Sequence, residues 1–568
     1  MNDIRRTILW VILGFSLVML WDKWQIHNGR QATFFPTTVA SAPAAAGATP
    51  ATPAASASDS AVPTAVSSSA PAGAAEVPGA PAAPAPARER VEVSTDVLKL
   101  SFDTAGGSLV RAELLKNVDL HDRSRHFVLL DESAERVYLA QTGLIGAPGL
   151  PNHTTLMTAV PGPRALADGS NTLEVRFESP EHDGVKLVKT YTLTRGSYAI
   201  GVKHEVVNTG SAPVTPQLYL QLVRDGNKLA GESSFYSTFT GPAVYTDAKK
   251  YQKVEFKDIE KNDAKFEKQS ANGYVAMVQH YFASAWLLGD GITRDIFARK
   301  VSNNLYAVGM ISTLPTVAPG TSQAAESRLF VGPQEEKVLE SLAPGLELVK
   351  DYGWLTILAK PLYWLLDKLH SVIQNWGWSI VALVVLLKIA FYWLNAKAYA
   401  SMAKMKAVNP RIQEMRERLK DKPQEMQQAM MKMYKEEKIN PLGGCLPIMV
   451  QIPVFIALYW VLLSSVEMRG APWIGWIRDL SAPDPWYLLP VIMTLTTLLQ
   501  TALNPAPPDP MQAKLMWFMP LAFSVMFFFF PSGLVLYWIT NNILSIVQQW
   551  IINTRMGVPP QFNLPKFK

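Results

Sequence analysis

Charge and cysteine are what this sequence has least of. Only 18% of its 568 residues are Asp, Glu, Lys or Arg, against 48% hydrophobic. A single cysteine, Cys445, excludes an intrachain disulfide. The formal net charge of +6 is too small over this length to be a nucleic-acid footprint, so no specific nucleic-acid partner is expected. No G-x-S-x-G, P-loop or dinucleotide glycine pattern falls where a strand-turn-helix supports it. His121, His126, His153, His182 and His204 are scattered, without ligand spacing. No metal, cofactor or catalytic residue is expected, and the chain reads as a non-enzyme. The apolar runs after Gly377 hold no acidic residue, which disfavours a proton-relay pump.

What is there points to a membrane protein with a soluble part: 16 tryptophans and a positive mean hydropathy. Arg5 and Arg6 precede an apolar run from Thr7 to Trp24. The small-residue triplet Ala40-Ser41-Ala42 lies too far past that run for signal cleavage. Residues 1–30 therefore read as an uncleaved anchor, spanning at 7–24 with its amino end inside. Residues 31–87 are almost all Ala, Pro, Ser, Thr, Gly and Val, with Asp59 and Glu76 the only charges. Such a run buries too little surface to offset its ordering entropy and reads as a disordered tether.

From residue 88 to 348 the period is two. Leu98, Leu100 and Phe102 alternate, as do Leu173, Val175 and Phe177; Tyr198, Ile200, Val202, His204 and Val206 extend the pattern, and Leu218, Leu220 and Leu222 repeat it. Turn clusters between them argue a large antiparallel β-sandwich. Residues 349–376 switch to a helical stripe, Trp354, Leu358, Leu362, Leu365 and Leu369, expected to lie in a membrane interface.

Residues 377–555 alternate apolar helices with short loops. Expected spans are 378–395, 446–466, 486–503, 515–530 and 533–552, each near the roughly 20 residues that cross a bilayer. Lys388 sits inside the first. A cation at that depth costs about 2.5–3.5 kcal/mol, so its default reading is functional; snorkelling to Asn395 requires a reach of roughly 10 Å. Gln451, Thr497, Gln500 and Asn541, with Ser464, Ser465, Thr494, Thr496, Asn542 and Ser545, suggest a hydrated groove around it. The stretch 397–440 carries eleven Lys/Arg against six Asp/Glu, which fixes it on the cytoplasmic side. Its apolar spacing predicts a helical hairpin starting at Asn409-Pro410, an N-cap and first-turn proline. Its methionines offer an adaptable surface. The tail, 556–568, falls on the cytoplasmic side as well.

Met402-Ala-Lys-Met405, Asn440-Pro-Leu-Gly-Gly-Cys445 with Pro447, Gln451-Ile-Pro453, and Pro531-Ser-Gly-Leu-Val-Leu-Tyr537 resemble the YidC membrane protein insertases. The resemblance is specific from about Trp376 to Gln549, and the order of elements agrees with Gram-negative members. It implies six transmembrane helices with a five-helix core, a periplasmic β-supersandwich and an inner-membrane location. It also implies a groove open to cytoplasm and lipid and closed to the periplasm. The clients it implies are nascent membrane proteins, taken alone or with the Sec translocon, from ribosomes docked on the cytoplasmic side, amid membrane lipids. Tyr537 and Trp538 hold the position of substrate-contacting aromatics. The resemblance implies that Lys404, Lys406, Arg411, Met415, Arg416, Arg418 and Met430 belong to a hairpin that meets ribosome and nascent chain. Two departures stand out. Lys388 occupies the place of the family's groove arginine, and Tyr392-Trp393-Leu394 lacks the proline of the family's Tyr-Pro-Leu, and with it the source of a kink. A small-solute transporter is the alternative, but it calls for an inverted repeat that the sequence does not show. A β-domain receptor on a membrane anchor ranks third, since five further spans exceed what an anchor needs.

Overall fold

The computed structural model describes residues 62–63, 88–119, 122–228, 238–419, 422–436, 446–504, 510–557 and 562. The anchor, most of the tether, the Asn440–Cys445 motif and nearly all of the tail lie outside these residues. The chain divides into two units, which meet in sequence between Lys350 and Asp351.

The first unit is all-β. One nine-stranded sheet runs from an edge at Arg90–Ser94 through Leu98–Asp103, Ser108–Val118, His126–Glu132, Val137–Ile145, Gln217–Asp225 and Leu305–Thr313 to Arg294–Ser302 and Gln269–Ser270. The second runs from Lys250–Lys253 through Gly241–Thr246, Tyr274–Gln279, Phe282–Leu288, Ser322–Pro333, Ala199–Asn208, Val185–Thr194 and Thr172–Glu178 to Thr158–Ala159. Two short helices, α1 (Phe256–Glu260) and α2 (Glu336–Leu342), interrupt the strands. The period-two residues lie where alternation sends them: Ile200, Val202, His204 and Val206 are all buried on one strand. Between the sheets sits a polar knot without a carboxylate in its hydrogen bonds. Lys189 Nζ donates to the carbonyl oxygens of Gly106 (2.6 Å) and Thr142 (2.7 Å). His204 Nε2 lies 2.9 Å from Thr142 Oγ1, and Tyr191 donates to the Gly107 carbonyl.

One turn of this unit admits only glycine. Gly273 has φ +91, and a Cβ there collides with the Tyr245 carbonyl oxygen. Gly273→Ala is expected to cost the β-unit about 3 kcal/mol or more, since backbone strain and overpacking add. Urea unfolding of the full chain followed by pulse proteolysis checks this; an unchanged midpoint refutes it.

The second unit is helical. Its helices are α3 (Thr356–Ile373), α4 (Trp376–Ala390), α5 (Tyr392–Arg418), α6 (Pro423–Glu436), α7 (Leu446–Ser464), α8 (Leu488–Leu503), α9 (Pro510–Met526) and α10 (Ser532–Arg555). Helix α3 buries Ala359, Tyr363 and Leu366, a face one residue round from the stripe read in the sequence. Ile357, Trp364 and Val372 are left exposed. Asn375 caps α4, its side chain accepting from the Trp378 amide.

Two expectations for the next helices need correcting. The chain bends by 65° between α4 and the Tyr392–Ser401 start of α5, although no proline is present. Phe391 adopts φ −92 and ψ 10, off the helical values, so the axis turns there even though its N–H still donates to the Leu387 carbonyl and its own carbonyl accepts from Asn395. And α5 runs unbroken through Asn409-Pro410, so no new helix starts there. The hairpin closes between α5 and α6 around Val408, Ile412 and Met433, with Met415, Met430 and Tyr434 packed against them.

Among the described residues no single helix is both long and apolar enough to cross a membrane; only the bent pair formed by α4 and the first part of α5 meets that test. The apolar parts of α7, α8 and α9 are shorter.

Candidate functional site

Helix α10 organises the polar residues. Asn541, Ser545 and Gln548, spaced four and three apart, share one face; Asn542 and Gln549, seven apart, share the next. Each face finds different helices. On the first, Gln451 of α7 donates to Asn541 Oδ1 (3.2 Å), and Asn395 of α5 lies 3.4 Å from Gln548 Oε1. On the second, Asn542 donates to Thr497 Oγ1 of α8 (2.9 Å) and Gln549 to Asn504 Oδ1 (3.2 Å). A polar seam therefore runs down α10, tying α5, α7 and α8 to one helix.

Lys388 enters this seam from α4. Its Nζ donates to Ser545 Oγ at 2.7 Å, and that hydroxyl donates in turn to the Asn541 carbonyl at 2.7 Å. The direction is forced: the serine's proton is committed to its own helix, so its lone pair faces the amine. Among the described residues Lys388 makes no other hydrogen bond and no ion pair. At 7% accessible it is enclosed by protein, where the sequence reading sets it in a wetted cavity. An ammonium carries three donors, and a neutral hydroxyl is a weak counterpart for a buried charge.

The other expected groove residues separate into two places. Thr497 spends its proton on the Met493 carbonyl and accepts from Asn542, on the second face of α10. Gln500 sits one turn further along α8, half-buried, and joins neither cluster. Tyr537 is 4% accessible, with its ring on Phe455 (5.8 Å between centroids). Trp538 meets Phe455 edge-on at 4.5 Å and Phe527 at 5.0 Å. These aromatics form packing between α7, α10 and the turn after α9. Of the hairpin residues, Lys404, Arg411 and Arg418 are exposed, while Met415 and Met430 pack inside it. The side chains of Lys406 and Arg416 lie outside the described residues. Asn395, Gln548 and Gln549 were missed by the sequence reading; the heptad spacing of Asn542 and Gln549 was the available signal.

The end of the unit where α4 and α10 begin is filled by the segment 466–487. Gly377 at the start of α4 lies so close to Trp473 that any Cβ there collides with its ring. Gly533 and Ser532 at the start of α10 donate their amides to the carbonyls of Leu480 and Ala482. Asp484, 1% accessible, accepts from the Trp476 indole and the amides of Trp486 and Leu489, which explains why a carboxylate is buried there.

Comparison with known proteins covers nearly all of the chain. Residues 90–365 match the family model for the YidC periplasmic domain, and residues 368–558 that for the 60Kd inner membrane protein. A membrane protein insertase YidC of Cupriavidus necator is 57% identical over 559 residues, covering 98% of both chains. One from Ralstonia nicotianae is 55% identical over 558 residues, again covering 98% of each. A solved active YidC insertase with its first transmembrane domain resolved aligns over 82% of this chain and 92% of its own, at 19% identity and a TM-score of 0.38.

Proposed function

The chain belongs to the YidC insertase family, and from that membership we propose that its helical unit receives nascent inner-membrane proteins at the Lys388 seam and releases them into lipid. It does so alone or beside the Sec translocon, and it also assists their folding. The carrying observation is Lys388, a buried cation whose sole described partner is a serine hydroxyl. An acidic side chain on an incoming segment is a better partner than Ser545, because a carboxylate adds the attraction of an opposite charge to the hydrogen bond and a neutral hydroxyl does not. The seam opens between α4, α7 and α10 as the client replaces contacts such as Gln451 to Asn541. Polar client segments are then held by the amides and hydroxyls of α10 while apolar ones slide out against α7 and α9. No bond is made or broken.

Six crossings fit this reading: the anchor at 7–24 and five from the helical unit, with both termini cytoplasmic and the β-unit periplasmic. At 1.5 Å per residue α10 spans roughly 36 Å, but α8 only about 24 Å, shorter than the roughly 30 Å hydrocarbon layer. Short spans are accommodated by thinning the bilayer, which lowers the barrier for a polar segment. The plug at 466–487 supports a groove closed on the periplasmic side. The exposed cations Lys404, Arg411 and Arg418 of the hairpin suit a ribosome's RNA surface.

A photo-crosslinking residue at position 388 or 451, with ribosomes stalled on a short membrane protein, is expected to give adducts to the nascent chain. Purified protein in liposomes that inserts nothing yet passes a small solute refutes the reading in favour of a transporter.

A further inference from the structure

The first sheet of the β-unit carries an apolar patch on its outer face. Thr142, Leu220 and Met310 are in register, and Thr142 reaches His204 on the other sheet, so this set points inward. The alternating set, Gly143, Tyr219 and Ile311, therefore points outward, with Ile145 beside it. Outward residues of a sandwich are ordinarily polar, facing water. Here Ile145, Tyr219 and Ile311 are only 7%, 0% and 5% accessible. Part of the cover is the chain just beyond the strand: His153 Nδ1 lies 2.6 Å from the Tyr219 hydroxyl. The rest comes from far away in sequence. Val62 packs against this cluster next to Phe297, and Pro63 is buried. Val62 also lines a cleft of about 330 Å³ with Leu144, Ala147, Pro148 and Leu150.

We propose that Val62-Pro63 is a docking element that pins the Ala/Pro-rich segment 31–87 to the outer face of the β-unit, so that the segment acts as two tethers. The local chemistry suits this. A residue before proline is confined to extended backbone, so Val62 loses little further freedom on binding. Its neighbours Ala61 and Ser60 offer no competing apolar side chain of its size. The effect is on reach: the run between the membrane anchor and the first fixed point on the β-unit becomes 31–61 instead of 31–87. Under square-root scaling of chain dimensions that shortens the reach by roughly a quarter.

The test uses full-length protein in lipid nanodiscs. A benzophenone amino acid at position 62 is expected to crosslink to residues 144–152 of the same chain. In the Val62→Asp variant, amides of that loop are expected to exchange roughly three- to tenfold faster, with Ala199–Asn208 unchanged and Val62→Ile behaving as the parent. Adducts to a second copy, to lipid or to other parts of the chain overturn the proposal. So does a Val62→Asp variant whose loop exchanges at the parent rate.

Discussion

Replacing Lys388 by glutamate is expected to lower insertion of clients bearing acidic residues by about tenfold or more, a loss of about 1.4 kcal/mol. The magnitude follows from sign reversal in a site that is nearly closed to water, where a charge facing a like charge is poorly screened. Folding should survive the change. Ser545 turns its hydroxyl to donate to the new carboxylate, giving up a bond to its own helix that is worth about a kcal/mol. Two further variants divide the effect. Lys388→Met keeps the stem and removes the charge, so acidic clients lose most of the gain and acid-free clients little. Lys388→Arg retains the charge and adds a two-pronged donor, so insertion is kept or raised. Protease protection of newly made clients in membrane vesicles measures all three. Equal insertion of acidic and acid-free clients by the glutamate variant removes the proposed role of the cation.

Acidification is expected to destabilise the β-unit by about 3 kcal/mol or more between pH 6.5 and pH 4. Burial, with Lys189, Arg299 and Arg88 nearby, lowers His153 from 6.5 to about 4. One unit corresponds to about 1.4 kcal/mol, and the folded form binds its proton later than the unfolded chain. The unfolded state therefore takes up more protons over this window, and stability falls with pH down to about pH 4, where the His153 contribution levels. His204 shifts in the same direction, chiefly through burial and also through Lys189. Among the described residues its Nδ1 has no hydrogen-bond partner, so a proton placed there finds no acceptor among them. Lys189 gives a second, separate leg. Burial lowers it to about 7, so stability falls as pH drops from 10.5 to 7 and is level below. The thermal midpoint of the β-unit, followed by calorimetry from pH 9 to pH 4, should fall through both windows. His204→Phe should flatten part of the acid leg and Lys189→Met the alkaline one. A midpoint that stays constant from pH 7 to pH 4 refutes the prediction.

Much of the helical site was legible because cost is a local signal. A lysine among Val, Leu and Ile stands out in any window, as do an asparagine pair and a glutamine in apolar runs. Their pairing was not legible. Whether Gln451 meets Asn541 or Gln500 depends on which face of α7 turns to α10, and several apolar faces there are equally sticky. Tyr537 and Trp538 show the converse: their position matches a family motif, yet they pack with Phe455 and Phe527. The bend at Phe391 lacked a sequence signal altogether, because the usual one is proline. The continuous helix through Pro410 reversed a local preference, since packing of Val408 and Ile412 against Met433 outweighs the hydrogen bond that proline forgoes.

Periodicity and composition by themselves determined a two-part chain: alternation of two becomes strands because side chains must fall on opposite faces, and long apolar runs with buried polar points become packed helices. Those rules act over a few residues and need no knowledge of the rest. Only the tertiary structure decided that Lys388 rests on Ser545, that Lys189 and His204 meet at Thr142, and that Val62 covers a patch on strands far along the chain. Such contacts form where apolar area and hydrogen-bonding groups of distant segments match in shape, and no local pattern encodes that match.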